Sequence, residues 1–175
     1  MNCIGTSEEE YNTVRQSGLK MAYFVIDGKP QGKARARTFY NPKLGRVQSI
    51  TPENTVLYEN LVKQSFVQQA SEDVRWLNKE PLAVYITAFY PIPASTTKKD
   101  RQLICTGRLF PTKKPDADNI AKVICDALNG VAYGDDTQII KLSIVKVYTE
   151  KQPRVHVCIE EIKEGGATNE IKKTD

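Results

Sequence analysis

Six apolar residues between positions 120 and 131 recur with the period of a helix. Ile120, Val123, Ile124, Ala127, Leu128 and Val131 fall at offsets 0, 3, 4, 7, 8 and 11, which lines them along one stripe of an α-helix. Asp118 before them is a good N-cap and Asn129-Gly130 after them a good stop, so the spacing predicts a helix over about 118–130. A helix with one apolar stripe must bury it against a second layer. Runs rich in β-branched and aromatic residues supply that layer at 21–26, 82–90, 139–148 and 155–159. The short loop 149–154 between the last two predicts an antiparallel hairpin. A further helix is expected from Thr51-Pro52-Glu53, where Thr51 would cap, to about residue 72, with Val56, Leu57, Leu61, Val62, Phe66, Val67 and Ala70 as its apolar pattern. Ser95 could cap a short helix that ends near Gly107. The resulting order predicts an α+β fold in which helices pack on one face of a mixed β-sheet.

The chain has 175 residues, enough for one domain and little more. Residues 1–20 lack a sustained apolar pattern and read as an extension, residues 21–162 as the folded domain, and residues 163–175 as a polar tail. No run approaches the roughly 20 apolar residues that span a bilayer, and the N-terminus has no apolar signal-peptide core. The expected setting is the cytoplasm. Cys3, Cys105, Cys125 and Cys158 form no CxxC pair and His156 is the single histidine, which argues against a structural zinc site.

The net charge is only +4, but it is unevenly placed. Residues 29–46 hold Lys29, Lys33, Arg35, Arg37, Lys43 and Arg46 with no acid. Residues 98–114 hold Lys98, Lys99, Arg101, Arg108, Lys113 and Lys114 against Asp100 alone. The remainder is therefore net acidic. Two basic connections on an otherwise acidic chain suit contact with a polyanion; the plainer alternative is a pair of solvated loops.

The acids cluster in 115–141. Asp116 and Asp118 are two apart, immediately before a helix. In an extended segment their side chains would point the same way, and two such carboxylates repel unless a cation lies between them. Lys122 and Asp126 follow at four-residue steps on one helix face, and Asp135 and Asp136 come from the next turn. An oxygen-ligand cluster of this kind suits Mg²⁺. A lysine beside it can steady developing charge or orient a water. The plainer reading of each part is an N-cap, an exposed ion-pair ladder and a turn.

The run KPDADNIAKVICDALNGVAYGDDTQII, residues 114–140, resembles the signature of the RusA family of Holliday junction resolvases: Asp-x-Asp-Asn-x-x-Lys, then Asp-Ala-Leu-Asn-Gly, then Asp-Asp-x-Gln followed by Ile or Val. A weaker likeness spans about 21–160. It includes the basic stretch from Gly28 to Arg37 and the region from Lys98 to Arg101. The resemblance implies Asp116, Asp118, Lys122 and Asp136 as catalytic residues. It implies Asp116, Asp118 and Asp136 as metal ligands, with Asp135 a further candidate. Asn119, Asp126, Asn129 and Gln138 would be supporting or structural. Lys29, Lys33, Arg35, Arg37, Lys98, Lys99, Arg101, Lys113 and Lys114 would meet DNA. Phe39, Tyr40 and Tyr133 could touch an opened base or simply pack. The implied activity is Mg²⁺-dependent resolution of four-way DNA junctions by paired nicks in a homodimer, with Mn²⁺ as a substitute metal. Small stand-alone members of the family are often carried by phage or prophage. The alternatives are a nuclease for other branched or duplex DNA, and a non-catalytic DNA-binding protein.

Overall fold

A computed structural model describes residues 20–70 and 74–163. The extension and the tail expected from sequence lie, but for residues 20 and 163, outside the described residues. Four strands form one sheet: β1 Met21–Asp27, β4 Leu82–Pro91, β5 Ile139–Thr149 and β6 Arg154–Glu161, in the order β1-β6-β4-β5. β6 runs antiparallel to β1 and to β4, whereas β4 and β5 are parallel. The mixed sheet is as expected, but the predicted β5–β6 hairpin does not exist. β4 lies between them, pairing Val84 with Ile159 on one side and with Leu142 on the other. The reason is burial. Alternate residues of β4 from Leu82 to Tyr90 are buried in the core, and Ala83 and Thr87 on its other face are buried too. A run that shuns water on both faces belongs inside a sheet, and β5, with Ile140 and Leu142 exposed, takes the edge.

Two long helices cover one face. These are α1 Glu53–Gln69 and α3 Ala117–Leu128; the shorter α2 Lys98–Cys105 buries none of its residues. Ile120, Val123, Ile124, Ala127 and Leu128 of α3 all enter the core, with Val131 packed against it, and each large apolar side chain contributes about 1.5–3 kcal/mol on burial. α1 departs from expectation. It buries Thr55, Tyr58, Val62, Ser65 and Phe66, while Val56, Leu57, Leu61 and Val67 stay exposed. Its apolar residues run around most of the cylinder, so periodicity could not pick the inward face. Phe66 settles it by packing edge-on against Phe24 of β1, with centroids 5.5 Å apart.

The caps differ as well. Pro52, not Thr51, occupies the N-cap of α1, and no side chain caps it. Thr97, not Ser95, caps α2 by accepting from the Asp100 amide. Asp116 rather than Asp118 is the N-cap of α3; Gly130 ends that helix with φ +70°, a conformation suited to glycine. Residues 37–50 form a separate two-stranded ribbon, β2 Arg37–Asn41 with β3 Arg46–Ile50, joined to the sheet by the loop 28–36. Among the described residues, no helix is long and apolar enough to cross a membrane, and Cys105, Cys125 and Cys158 are free thiols.

Candidate active site

Asp116 sits in extended backbone (φ −70°, ψ 152°), and its carboxylate makes no capping hydrogen bond. Asp118 is already inside the first turn of α3, so the alternation of an extended segment does not apply to the pair. What they share is the amino end of one helix, whose free N–H groups and dipole favour negative charge. Both side chains are exposed. The nearest polar partner of Asp118 is Asn119, whose Nδ2 donates to Oδ1 at 3.5 Å, the outer limit of a hydrogen bond. Among the described residues neither carboxylate is held in an ion pair, and both face solvent.

Lys122 is exposed one turn further on. The ladder Asp118–Lys122–Asp126 does not form: Asp126 pairs instead with Lys33, 2.8 Å away. Among the described residues Lys122 makes no ion pair, and its ammonium is available.

The two adjacent acids after α3 are employed differently. Asp135 accepts from the Thr137 amide at 2.9 Å and completes a capping box over the short 3-10 turn Asp136–Gln138. A hydrogen bond from the Thr137 side chain first, and then the one from its amide, hold the Asp135 carboxyl below the usual range. Asp136 has no such bond and is half-buried. It lies beside the later turns of α3. Burial first, and then the Asp136 and Asp126 carboxylates, push the Cys125 thiol up to about 11. Gln138 is buried and holds the turn: Oε1 accepts from the Gly134 and Asp135 amides, and Nε2 donates to the carbonyls of Trp76 and Glu80. Asn129 caps the C-terminus of α3. Tyr133 is fully buried and donates to the Cys125 carbonyl at 3.0 Å, so it packs and does not reach a base. Phe39 and Tyr40, by contrast, are exposed on the ribbon.

Among the described residues no group of three or more His, Cys, Asp or Glu side chains is close enough to hold a metal ion. A third protein ligand is thus not assembled in this conformation. The donor set still fits a hard cation. Mg²⁺ keeps several waters and is commonly held by one or two carboxylates together with substrate phosphate, and Asp116 and Asp118 are two exposed carboxylates on one helix end.

The loop 28–36 reaches the same helix end. The Lys33 amide donates to the Asn119 carbonyl at 2.8 Å, and the Ala34 amide to Thr55 Oγ1 at 3.4 Å. A Cβ on Gly32 would lie 2.8 Å from that of Pro115 and 3.0 Å from that of Asn119, so only glycine allows this approach. An open cleft of about 490 Å³ lies alongside. It is bounded by residues 30–34, by Pro52, Asn54 and Thr55 at the start of α1, and by Lys114, Pro115, Asp116 and Asn119.

The basic residues separate into two groups. Lys29, Arg35, Arg37, Lys98, Lys99, Lys113 and Lys114 are exposed. Lys33 lies between Glu59 at 2.6 Å and Asp126 at 2.8 Å. Burial opposes its charge, but the bonds to Asp126 and Glu59 prevail and hold the ammonium above its ordinary range. Arg101 meets Glu150 at 3.2 Å on the exposed surface, a pair worth little. One supporting residue escaped the sequence reading. Lys146 of β5 donates to the carbonyl of Pro115 at 3.0 Å and also to that of Lys113, tying down the segment that leads into Asp116. Its signal was present: a lysine at a position that shares its parity with inward-facing Ile144 and Tyr148.

The family profile described as Endodeoxyribonuclease RusA matches residues 27–160. A protein of Bacillus subtilis (strain 168), described as "Uncharacterized protein YqaN", is 32% identical over 141 residues, covering 79% of this chain and 95% of the relative. The matched span takes in the loop 28–36, Asp116, Asp118 and the 3-10 turn, and it is most of the described fold: this chain belongs to the RusA family of endodeoxyribonucleases.

Proposed function

We propose that this protein is a Mg²⁺-dependent endonuclease that resolves four-way DNA junctions by paired nicks, acting as a homodimer with one acidic site per subunit. The observation that carries the proposal is the pair of exposed carboxylates, Asp116 and Asp118, on one helix end beside exposed basic residues in a chain of this family. Asp116 and Asp118 would hold the divalent cation, Mg²⁺ or Mn²⁺, with Asp136 as the third candidate ligand. When bound, the ion polarises the scissile phosphate and lowers the pKa of a water.

The chain's own residues supply the rest. Lys122, exposed and without an ion pair among the described residues, would neutralise charge that develops on the phosphate or orient the attacking water. Asp135 and Gln138 support Asp136 by fixing its turn. Lys114 in the cleft, with Lys29, Arg35, Arg37, Lys98, Lys99 and Lys113, neutralises backbone phosphates.

The test is incubation of the purified protein with an end-labelled synthetic four-way junction and Mg²⁺. Symmetrically paired nicks are expected. Asp118→Asn and Asp136→Asn should abolish cleavage and leave junction binding intact. Failure to cut the junction across a broad range of pH and of both metals would overturn the proposal. Cleavage of forks or plain duplex in preference to junctions would move the same site to another substrate.

A further inference from the structure

Lys33 stands in the basic loop, and from sequence alone it belongs with the residues that meet DNA. Its surroundings assign it elsewhere. The ammonium touches a carboxylate on each long helix, Glu59 of α1 at 2.6 Å and Asp126 of α3 at 2.8 Å. All three side chains are largely withdrawn from solvent, with 20–27% of their surface exposed. A lysine already bonded to two carboxylates is poorly placed to release counterions from DNA. Its main chain is pinned too, through the bond to the Asn119 carbonyl. Gly32 before it presses on Pro115 and Asn119, the two residues that flank the segment from Asp116 to Asp118. Two residues beyond it comes Arg35, and the ribbon starts at Arg37. The strap thus meets the acidic helix end on one side and leads into the basic ribbon on the other.

We infer that Lys33 is a positioning residue: by bridging Glu59 and Asp126 it holds the strap, residues 30–34, against the helix end that carries Asp116 and Asp118, and so sets the basic ribbon relative to the scissile phosphate. The inference rests on the nuclease reading above for its effect on rate, and on the geometry alone for its effect on the strap. Small misplacements of groups around a reacting centre cost large factors in rate, while a residue that touches no phosphate adds nothing to the salt dependence of binding.

The test uses the full chain and a labelled four-way junction. Affinity is measured in EDTA over a series of salt concentrations, and single-turnover cleavage of the saturated complex is measured in Mg²⁺. Lys33→Met should leave the slope of log K against log salt unchanged and slow cleavage of the bound junction by about 10- to 100-fold. Lys33→Arg, which can still span both carboxylates, should recover most of the rate. For comparison, Arg35→Gln should lower the slope by about one. A slope lowered by about one in Lys33→Met, with the bound complex cut at the wild-type rate, would make Lys33 a phosphate contact and overturn the inference. Unchanged slope and unchanged rate would overturn it equally. Should Lys33→Met fail to fold, Asp126→Asn and Glu59→Gln loosen the bridge one arm at a time; each should slow cleavage without altering the slope, and wild-type rates in both would sink the idea. If the wild-type protein cuts no junction, the proposed function falls by itself. Hydrogen exchange at the Lys33 and Ala34 amides then decides this point: faster exchange in Lys33→Met supports the bridge, and unchanged exchange refutes it.

Discussion

Asp135 and Asp136 show how much a neighbour can change the work of an identical side chain. Asp135 is bonded to its own turn, so Asp135→Ala should lower the midpoint of denaturant unfolding, through the loss of that cap. Asp136→Asn breaks no bond in the fold; it should shift stability by less than about 0.5 kcal/mol while abolishing cleavage. Two adjacent acids look alike in a string of letters, and only the capping geometry tells them apart. His156 offers a second test. Arg154 Nε donates to its Nε2 at 2.8 Å and Tyr23 Oη meets its Nδ1 at 2.8 Å, so the neutral ring carries its proton on Nδ1. Burial first, and then the Arg154 charge, lower the ring from 6.5 to about 4. Between these values the unfolded chain takes up a proton that the folded chain refuses. The contribution is therefore complete above pH ~6.5 and is lost as pH falls towards ~4. Thermal melts of wild type and His156→Gln across that window should converge as the pH drops; parallel curves would show that the ring is not held neutral.

Among the elements, α3 was the most readable, because its apolar stripe and its Asn129-Gly130 stop agree. α1 was readable as a helix but not by face: Tyr58 and Ser65 go in while Leu57 and Leu61 stay out. Replacing Phe66 by Ala should cost about 3–5 kcal/mol, the usual range for a buried aromatic. Leu57→Gln, at a position 59% exposed, should stay within about 0.5 kcal/mol. Chemical denaturation of both variants checks the orientation of the helix; the opposite ranking would mean that α1 is rotated. The strap was visible only as a basic, glycine-containing stretch. That Lys33 turns inward depends on Glu59 and Asp126, which lie 26 and 93 residues away in the chain, and no local pattern reports such distant partners.

Across the whole molecule, the charge asymmetry has a measurable consequence. Junction affinity should fall steeply with salt, with a log–log slope that reflects several neutralised phosphates; a slope near zero would show that the basic residues do not meet the backbone. The kind of sheet could be read in advance, but its strand order could not. The short 149–154 loop suggested that its flanking strands were neighbours, whereas the two-sided burial of β4 places that strand between them. The parallel pairing of β4 with β5 reaches further still. Everything between those strands, including α2, Asp116, Asp118, Lys122 and Asp136, is the connection that a parallel pair requires. On the proposed reading, the residues assigned to cleavage are thus built into the link between two parallel strands. A chain that has emerged only as far as β4 already carries the basic residues of 29–46 and none of these acids. If those acids do the cutting, the capacity to break a strand arrives only with the last third of the polypeptide.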